Sequence, residues 1–295
     1  MKTQAYGRRR YSLFDIIVYM VLLVLALFII YPFYNCLLVS LVTSKEYVNT
    51  PFMLIPRQPT LNSYLYVFSN KAILNGFFVT FIVVTVGVVY NMILSLATAY
   101  ALSRKGYPGH GIIINLIIFT MYFSGGLVPY YLLMRDLHLI NNVFSMVFPV
   151  GINTFYMIVM MNYFRTLPKE LEESAKADGA NDITVLLKIM LPISLPIIAT
   201  FVLFYSVDRW NEWWNGMLFI KTDNKRPLQL VLRSIINVSA DATLSEAASS
   251  YFMRDMFADG IKMASVIVTM MPIMCVYPFL QKYFMKGLLI GAIKS

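Results

Sequence analysis

Long apolar stretches separated by short polar ones set the rhythm of this chain. Six are long enough to cross a membrane: residues 13–40, 72–102, 111–134, 143–164, 193–220 and 261–281. A spanning helix needs roughly 20 mostly apolar residues. Several runs exceed that, which predicts tilt, kinks or interfacial ends. The period-2 alternation of a membrane β-barrel is absent. The pattern predicts an all-α polytopic membrane protein with six transmembrane helices, built as a single transmembrane domain over residues 1–295.

Composition agrees with that pattern. The chain is 59% hydrophobic and 13% charged, whereas soluble domains carry about 25% charged residues. The remaining charges sort by side. With the first span starting inside, the inner segments hold Lys2, Arg8, Arg9, Arg10, Arg104, Lys105, Arg165, Lys169, Lys176, Lys188, Lys282, Lys286 and Lys294. The outer loops hold Lys45, Arg57, Lys71 and Arg135, with more in the long loop 221–262. This positive-inside bias predicts both termini cytoplasmic. Basic residues precede the first run, and no short apolar core with a small-residue cleavage site follows them, so a retained first span is expected. The net charge of +9 then reads as orientation signal, and no nucleic-acid partner is expected. Cys36 and Cys275 lie in apolar runs and behave as small hydrophobes. His110 and His138 stand alone, so no metal site is expected.

The sequence has no Gly-Lys dipeptide, which a phosphate-cradling GxxxxGK[ST] loop requires. It carries no catalytic constellation either, and no cofactor is expected on this chain. Uphill transport through it must draw on an ion gradient or on a partner.

One polar segment stands out, "LEESAKADGANDITVLLKIMLP", Leu171 to Pro192. Pro168 suits a first helical turn, and Glu170, Glu172 and Glu173 favour a helix N-terminus. Glu172 and Lys176 form an i,i+4 pair. Gly179 is a natural helix stop. Asn181 or Asp182 then caps a second short helix, with Ile183, Leu186, Leu187 and Met190 on one face. Pro192 breaks or bends the chain into the fifth span. On physical grounds alone this is either an amphipathic connector or a docking element.

Glu173-Ser174-Ala175, three residues, Gly179, nine residues, Ile189, one residue and Leu191-Pro192 resemble the EAA loop of ABC-importer permeases. The one departure is Ser174, where that family's second motif residue is alanine; serine is also small. The resemblance extends along the chain, through "LFIIYPFYNCLLVSL", "MYFSGGLVPYYLL", "RPLQLVLRSII" and "VYPFLQKYFMKGLLIGAIKS", and is nearest the maltose-permease-like, carbohydrate-uptake branch. It implies a non-catalytic subunit in the bacterial cytoplasmic membrane. Its implied partners are a second homologous permease (a heterodimer), two ATPase subunits that bind ATP and Mg, an extracellular solute-binding lipoprotein or protein, a carbohydrate substrate and membrane lipid. It also implies that residues 165–192 are a cytoplasmic coupling loop, with Glu172, Glu173, Ser174, Ala175, Gly179, Ile189, Leu191 and Pro192 at the ATPase. Non-sugar solutes, or an ion-coupled carrier, are the alternatives. A carrier predicts midplane carboxylates and internal repeats, and the sequence offers neither.

For a substrate pathway the sequence nominates two places. In "YSVDRWNEWWNG", a continuous helix puts Asp208, Asn211, Glu212 and Asn215 within an arc of about 100°, flanked by Tyr205 and Arg209. Trp210, Trp213 and Trp214 point elsewhere. Such a face can hydrogen-bond sugar hydroxyls, or it can be an outer interface with an aromatic belt. In "YFSGGLVPYY", Gly125, Gly126 and Pro129 predict a kink or unwound turn. Membrane proteins tolerate such breaks where backbone lines water or is buried in protein. Tyr122, Tyr130 and Tyr131 lie beside it.

Overall fold

The computed structural model describes residues 12–50, 53–104, 106–241 and 257–292. Lys2, Arg8, Arg9, Arg10, Lys105, most of the loop after residue 241, and the last three residues lie outside the described residues. Every regular element in the described residues is helical, and the chain divides into two compact units.

The first unit covers residues 1–67 and 241–267. It holds α1 (Leu13–Ser40), α2 (Ser44–Asn49), most of α3 (Asn62–Ser69) and the start of the last helix. Ser12 and Asp15 close a capping box at the start of α1, satisfying two N–H groups that otherwise lack partners. Nearly all of α1 is exposed apolar surface, and only Leu38, Val39 and Ser40 at its end are buried. There the Ser40 and Tyr64 hydroxyls sit 2.7 Å apart. The Glu46 carboxylate on α2 accepts from the Arg57 and Gln58 backbone N–H groups, tying down the proline-bearing loop.

The second unit covers residues 68–240 and 268–295. Its axis is α4 (Lys71–Ser103), followed by α5 (His110–Tyr122), α6 (Leu127–Asp136), α7 (Thr154–Thr166) and α8 (Glu170–Ala177). Next come α9 (Asp182–Val185), a π-helical turn (Leu186–Met190), α10 (Leu191–Ile193), α11 (Leu195–Trp210) and α12 (Trp214–Phe219). Helix α13 (Leu228–Asp241) and the C-terminal α14 (Ala258–Ala292) complete the chain. Helices α4, α7 and α11 pack around a core rich in methionine: Met92, Met157, Met160, Met161 and Met190, with Tyr100, Phe164, Phe201 and Tyr205. Small residues let neighbours approach α4 closely, as is usual between membrane helices. A Cβ at Gly76 would meet the Leu228 backbone at 3.1 Å, and one at Gly87 would meet Arg209 Cδ at 2.9 Å.

Among the described residues, three helices are long and apolar enough to cross a membrane: Leu13–Ser40, Lys71–Ser103 and Ala258–Val276. The other three expected spans are each broken. His110–Tyr122 and Leu127–Asp136 are bent by 110°, Val143–Val150 and Thr154–Thr166 by 46°, and Asp182–Ile193 and Leu195–Phe219 by 88°. Up to six spans result if each bent pair counts as one. The largest bend falls at the expected glycines. Gly126 has φ +88°, a conformation open to glycine and costly for residues with a Cβ.

Candidate functional site

The Leu171–Pro192 segment forms the expected pair of helices with a glycine turn. Helix α8 ends in a Schellman motif: Ala180 N–H donates to Ala175 C=O and Gly179 N–H to Lys176 C=O, both at 3.0 Å. Gly179 carries φ +84°, the left-handed geometry that this cap requires. A Cβ there would meet nothing within 4 Å, so the outside of the turn is open. Asn181 is the cap of the second helix, its side chain accepting from Thr184 N–H at 2.8 Å. Ala175 and Ala180 pack on the methionine-rich core, whereas Glu173, Ser174 and Gly179 are exposed.

Glu172 is the hub of this corner. It is 7% exposed, and its carboxylate takes Arg104 Nη1 at 2.8 Å and Lys176 Nζ at 2.9 Å. The Tyr100 hydroxyl donates to it at 3.4 Å, and the Arg104 guanidinium lies 4.7 Å over the Tyr100 ring. Lys176 also reaches Asp182 Oδ1 at 2.9 Å, across the glycine turn. Hydrogen bonds to Asp182 first and Glu172 next raise the Lys176 pKa. Beside the hub lies a polar cleft of about 430 Å³ bordered by Arg104, Arg165, Lys169 and Glu173. Sequence reading missed Arg104 and Arg165. The available signal was a basic residue at the end of an apolar run, near a loop with surplus carboxylates.

The second short helix corrects an expected face. Ile183, Leu186, Leu187 and Met190 do not form one buried stripe. Val185 and Met190 are fully buried, while Ile183 and Leu187 are 69% and 56% exposed. The cause is the π turn, in which Leu191 N–H bonds to Leu186 C=O five residues back. The wider turn brings residues five apart onto one side, so Val185 and Met190 share the core face. Ile189 and Leu191 are half-buried and Pro192 is exposed. The chain stays helical through Pro192 and turns at Ser194, two residues later than expected.

The polar stretch around residue 210 also departs from the expected geometry. A continuous helix does not form: α11 stops at Trp210 and α12 starts at Trp214. Glu212 and Asn215 are buried, Asp208 is half-buried and Asn211 is exposed. Glu212 holds the start of α12, accepting from Asn215 N–H at 2.9 Å and Asn215 Nδ2 at 3.1 Å. The Tyr130 hydroxyl donates to Asn215 Oδ1 at 2.8 Å. Buried Arg209 stands 3.7 Å from Glu212 and donates to Met146 C=O at 2.8 Å. The break thus gathers Tyr130, Arg209, Glu212 and Asn215 into one interior network. Tyr205 belongs to another, with Ser95 at 2.7 Å and Asn153 N–H at 3.1 Å. Tyr122, Gly125 and Gly126 are exposed, and Gly126 C=O accepts from Tyr130 N–H at 3.4 Å.

The three tryptophans separate. Trp210 Nε1 donates to Thr269 C=O at 3.2 Å. Trp214 is exposed and meets Trp213 edge to face. The Arg233 guanidinium lies 4.0 Å over the Trp213 ring. Gln229, one turn before Arg233 on α13, donates to Asn211 Oδ1 at 3.4 Å. Sequence reading had named neither Gln229 nor Arg233. The i,i+4 spacing of these two polar residues on an amphipathic helix was the signal.

Known proteins resemble the chain over nearly its whole length. It is 39% identical over 285 residues to the polygalacturonan/rhamnogalacturonan transport system permease protein YtcP of Bacillus subtilis (strain 168), covering 96% of this chain and 99% of the relative. It is 39% identical over 267 residues to Protein LplC of the same organism, covering 90% of each. A crystal structure of a bacterial ABC transporter involved in the import of the acidic polysaccharide alginate matches with TM-score 0.85 and 30% identity, over 93% of this chain and 99% of that one. No family model matches the chain.

Proposed function

Since the chain belongs to the permease family of ABC transport systems, as these relatives show, we propose that it forms half of the translocation pathway of an importer for an oligosaccharide. The other half is a second, homologous permease. Two ATPase subunits bind ATP and Mg and supply the work, and an extracellular solute-binding protein delivers the sugar. The chain sits in a bacterial cytoplasmic membrane with both termini inside and six spans, the fifth being Leu195–Phe219 while Asp182–Ile193, across the 88° bend, stays in the cytoplasmic corner. Residues 1–295 act as one permease domain. The carbohydrate named in YtcP's description supports the substrate class.

The observation that carries this reading is the α8–α9 corner. It is braced from within by Glu172, Arg104 and Lys176, and open at Gly179. It presents Ile183 and Leu187 to the outside on a helix whose other face is buried. Exposed apolar side chains next to an unobstructed turn are what a partner groove takes up. The ATPase docks there, contacting Glu173, Ser174, Gly179 and the Ile183–Leu187 pair. Substrate passes the Asp208–Asn215 break and the Gly125–Gly126 turn. Reconstitution of the complete complex in liposomes tests the reading. ATP hydrolysis and uptake should rise only when the binding protein is loaded with an oligosaccharide, and uptake in the absence of ATP would overturn it.

A further inference from the structure

We propose that Arg233, seated over Trp213 beside Gln229, reads the carboxylate of an acidic sugar unit. This deepens the importer reading and rests on it. Gln229, Leu232, Arg233 and Ile236 share one face of α13, and with Trp213 they border a concavity of about 210 Å³. Drug-sized ligands occupy roughly 300–1,000 Å³, so this hollow suits one sugar unit of a longer chain.

Charge decides which sugar. The nearby arginines have carboxylate partners, Arg209 with Glu212 and Arg226 with Asp223. Arg233 makes no ion pair among the described residues and is exposed on its helix. The Trp213 ring holds its guanidinium in place, an attraction that leaves edge N–H groups available. Trp213 is itself braced edge-on by Trp214, ring centroids 5.5 Å apart. Neutral hydroxyls are served by amides and hydroxyls, but a planar, permanently charged fork matches a carboxylate. Leu232 and Ile236 offer apolar surface to the C–H face of a sugar ring, and Gln229 offers an amide to a hydroxyl. The alginate importer that matches this chain takes an acidic polysaccharide. YtcP is named for polygalacturonan, whose units each carry a carboxylate.

The test uses the complete complex in liposomes with its binding protein, supplied with trigalacturonate or with its fully methyl-esterified form. The binding protein is the same throughout, so a change in the acid-to-ester uptake ratio reports on the permease. Arg233→Gln should lower that ratio about tenfold, the scale of one lost charge-assisted hydrogen bond, and Arg233→Lys should restore part of it. An unchanged ratio, including one in which both probes slow equally as they would for a lipid-anchoring arginine, overturns the proposal. If the wild-type complex imports neutral oligosaccharides but neither probe, the acidic subsite falls and the importer reading stands. If it imports no oligosaccharide of any kind, the importer reading falls as well.

Discussion

Lys176 and Asp182 stand on opposite sides of the Gly179 turn, yet Lys176 Nζ lies 2.9 Å from Asp182 Oδ1. The same ammonium also lies 2.9 Å from Glu172 Oε1, one helical turn back. One cation therefore ties the end of α8 to the start of α9 and fixes the angle between them. Its strength is limited by exposure, since the Lys176 side chain is 47% accessible and exposed pairs are worth about 0–1 kcal/mol. The clamp sets an angle and contributes little to overall stability.

Lys176→Met should lower melting of the purified complex only slightly but reduce transport per ATP hydrolysed, measured in liposomes. The pH response has a definite sign. Asp182 and Glu172 raise the Lys176 pKa, so its contribution is complete below the unfolded-chain value of about 10.4 and is lost as pH rises through the higher folded value. Between about pH 6 and 9, coupling should show no titration that Lys176→Met removes. High salt should loosen the clamp in the wild type.

Glu172→Ala should behave differently. It strands Arg104 beside Tyr100 with its carboxylate gone, and removing one partner of a largely buried pair costs about 3–5 kcal/mol. A clear drop in melting temperature in detergent is expected. A shift no larger than that of Lys176→Met would show that the hub is solvated.

Gly179→Asp puts a side chain at φ +84° and into the open side of the turn. The backbone cost is only about 1–2 kcal/mol, so the protein should still insert in the membrane. Co-purification with the ATPase should be lost. Retention at wild-type levels would remove the turn from the docking surface.

Ile183→Glu with Leu187→Glu should likewise abolish co-purification without destabilising the permease, because both side chains are exposed. Val185→Ala, on the buried side of the same helix, should cost about 1–2 kcal/mol in stability while docking persists. The reverse result would mean that the helix docks by its other face.

Asp208→Ala with Asn211→Ala should cut oligosaccharide uptake with the complex intact, since neither residue belongs to the Tyr130–Arg209–Glu212–Asn215 network. Glu212→Ala should impair assembly itself, because it leaves buried Arg209 and the start of α12 without their carboxylate. Unchanged uptake in the double variant would mark that surface as an interface only.

Much of the architecture was legible because its causes are local. The apolar runs mark three long apolar helices and three bent helix pairs, Gly179 marks the Schellman stop, and Gly125–Gly126 mark the largest bend. What escaped the sequence depended on departures from ideal helical geometry. Projecting residues 182–190 at 100° each put Ile183, Leu186, Leu187 and Met190 on one face; the π turn instead sets Val185 and Met190 inside and leaves Ile183 and Leu187 exposed. The helix break after Trp210 dissolved the arc of Asp208, Asn211, Glu212 and Asn215, burying two of them and leaving Asn211 exposed. Arg104 and Arg233 could not be paired from sequence, because Glu172 lies on another helix and Trp213 in the break between α11 and α12.

The methionines beneath the α8–α9 corner carry one more consequence. Met157, Met160, Met161 and Met190 form much of the surface on which Val185, Ala175 and Ala180 rest. Thioether side chains are unbranched and repack at small cost, unlike the stiff β-branched residues. The corner is therefore seated on a compliant bearing. Small displacements of the corner would cost these side chains little, whereas a sulfoxide on any of them would put a polar group into the apolar seat.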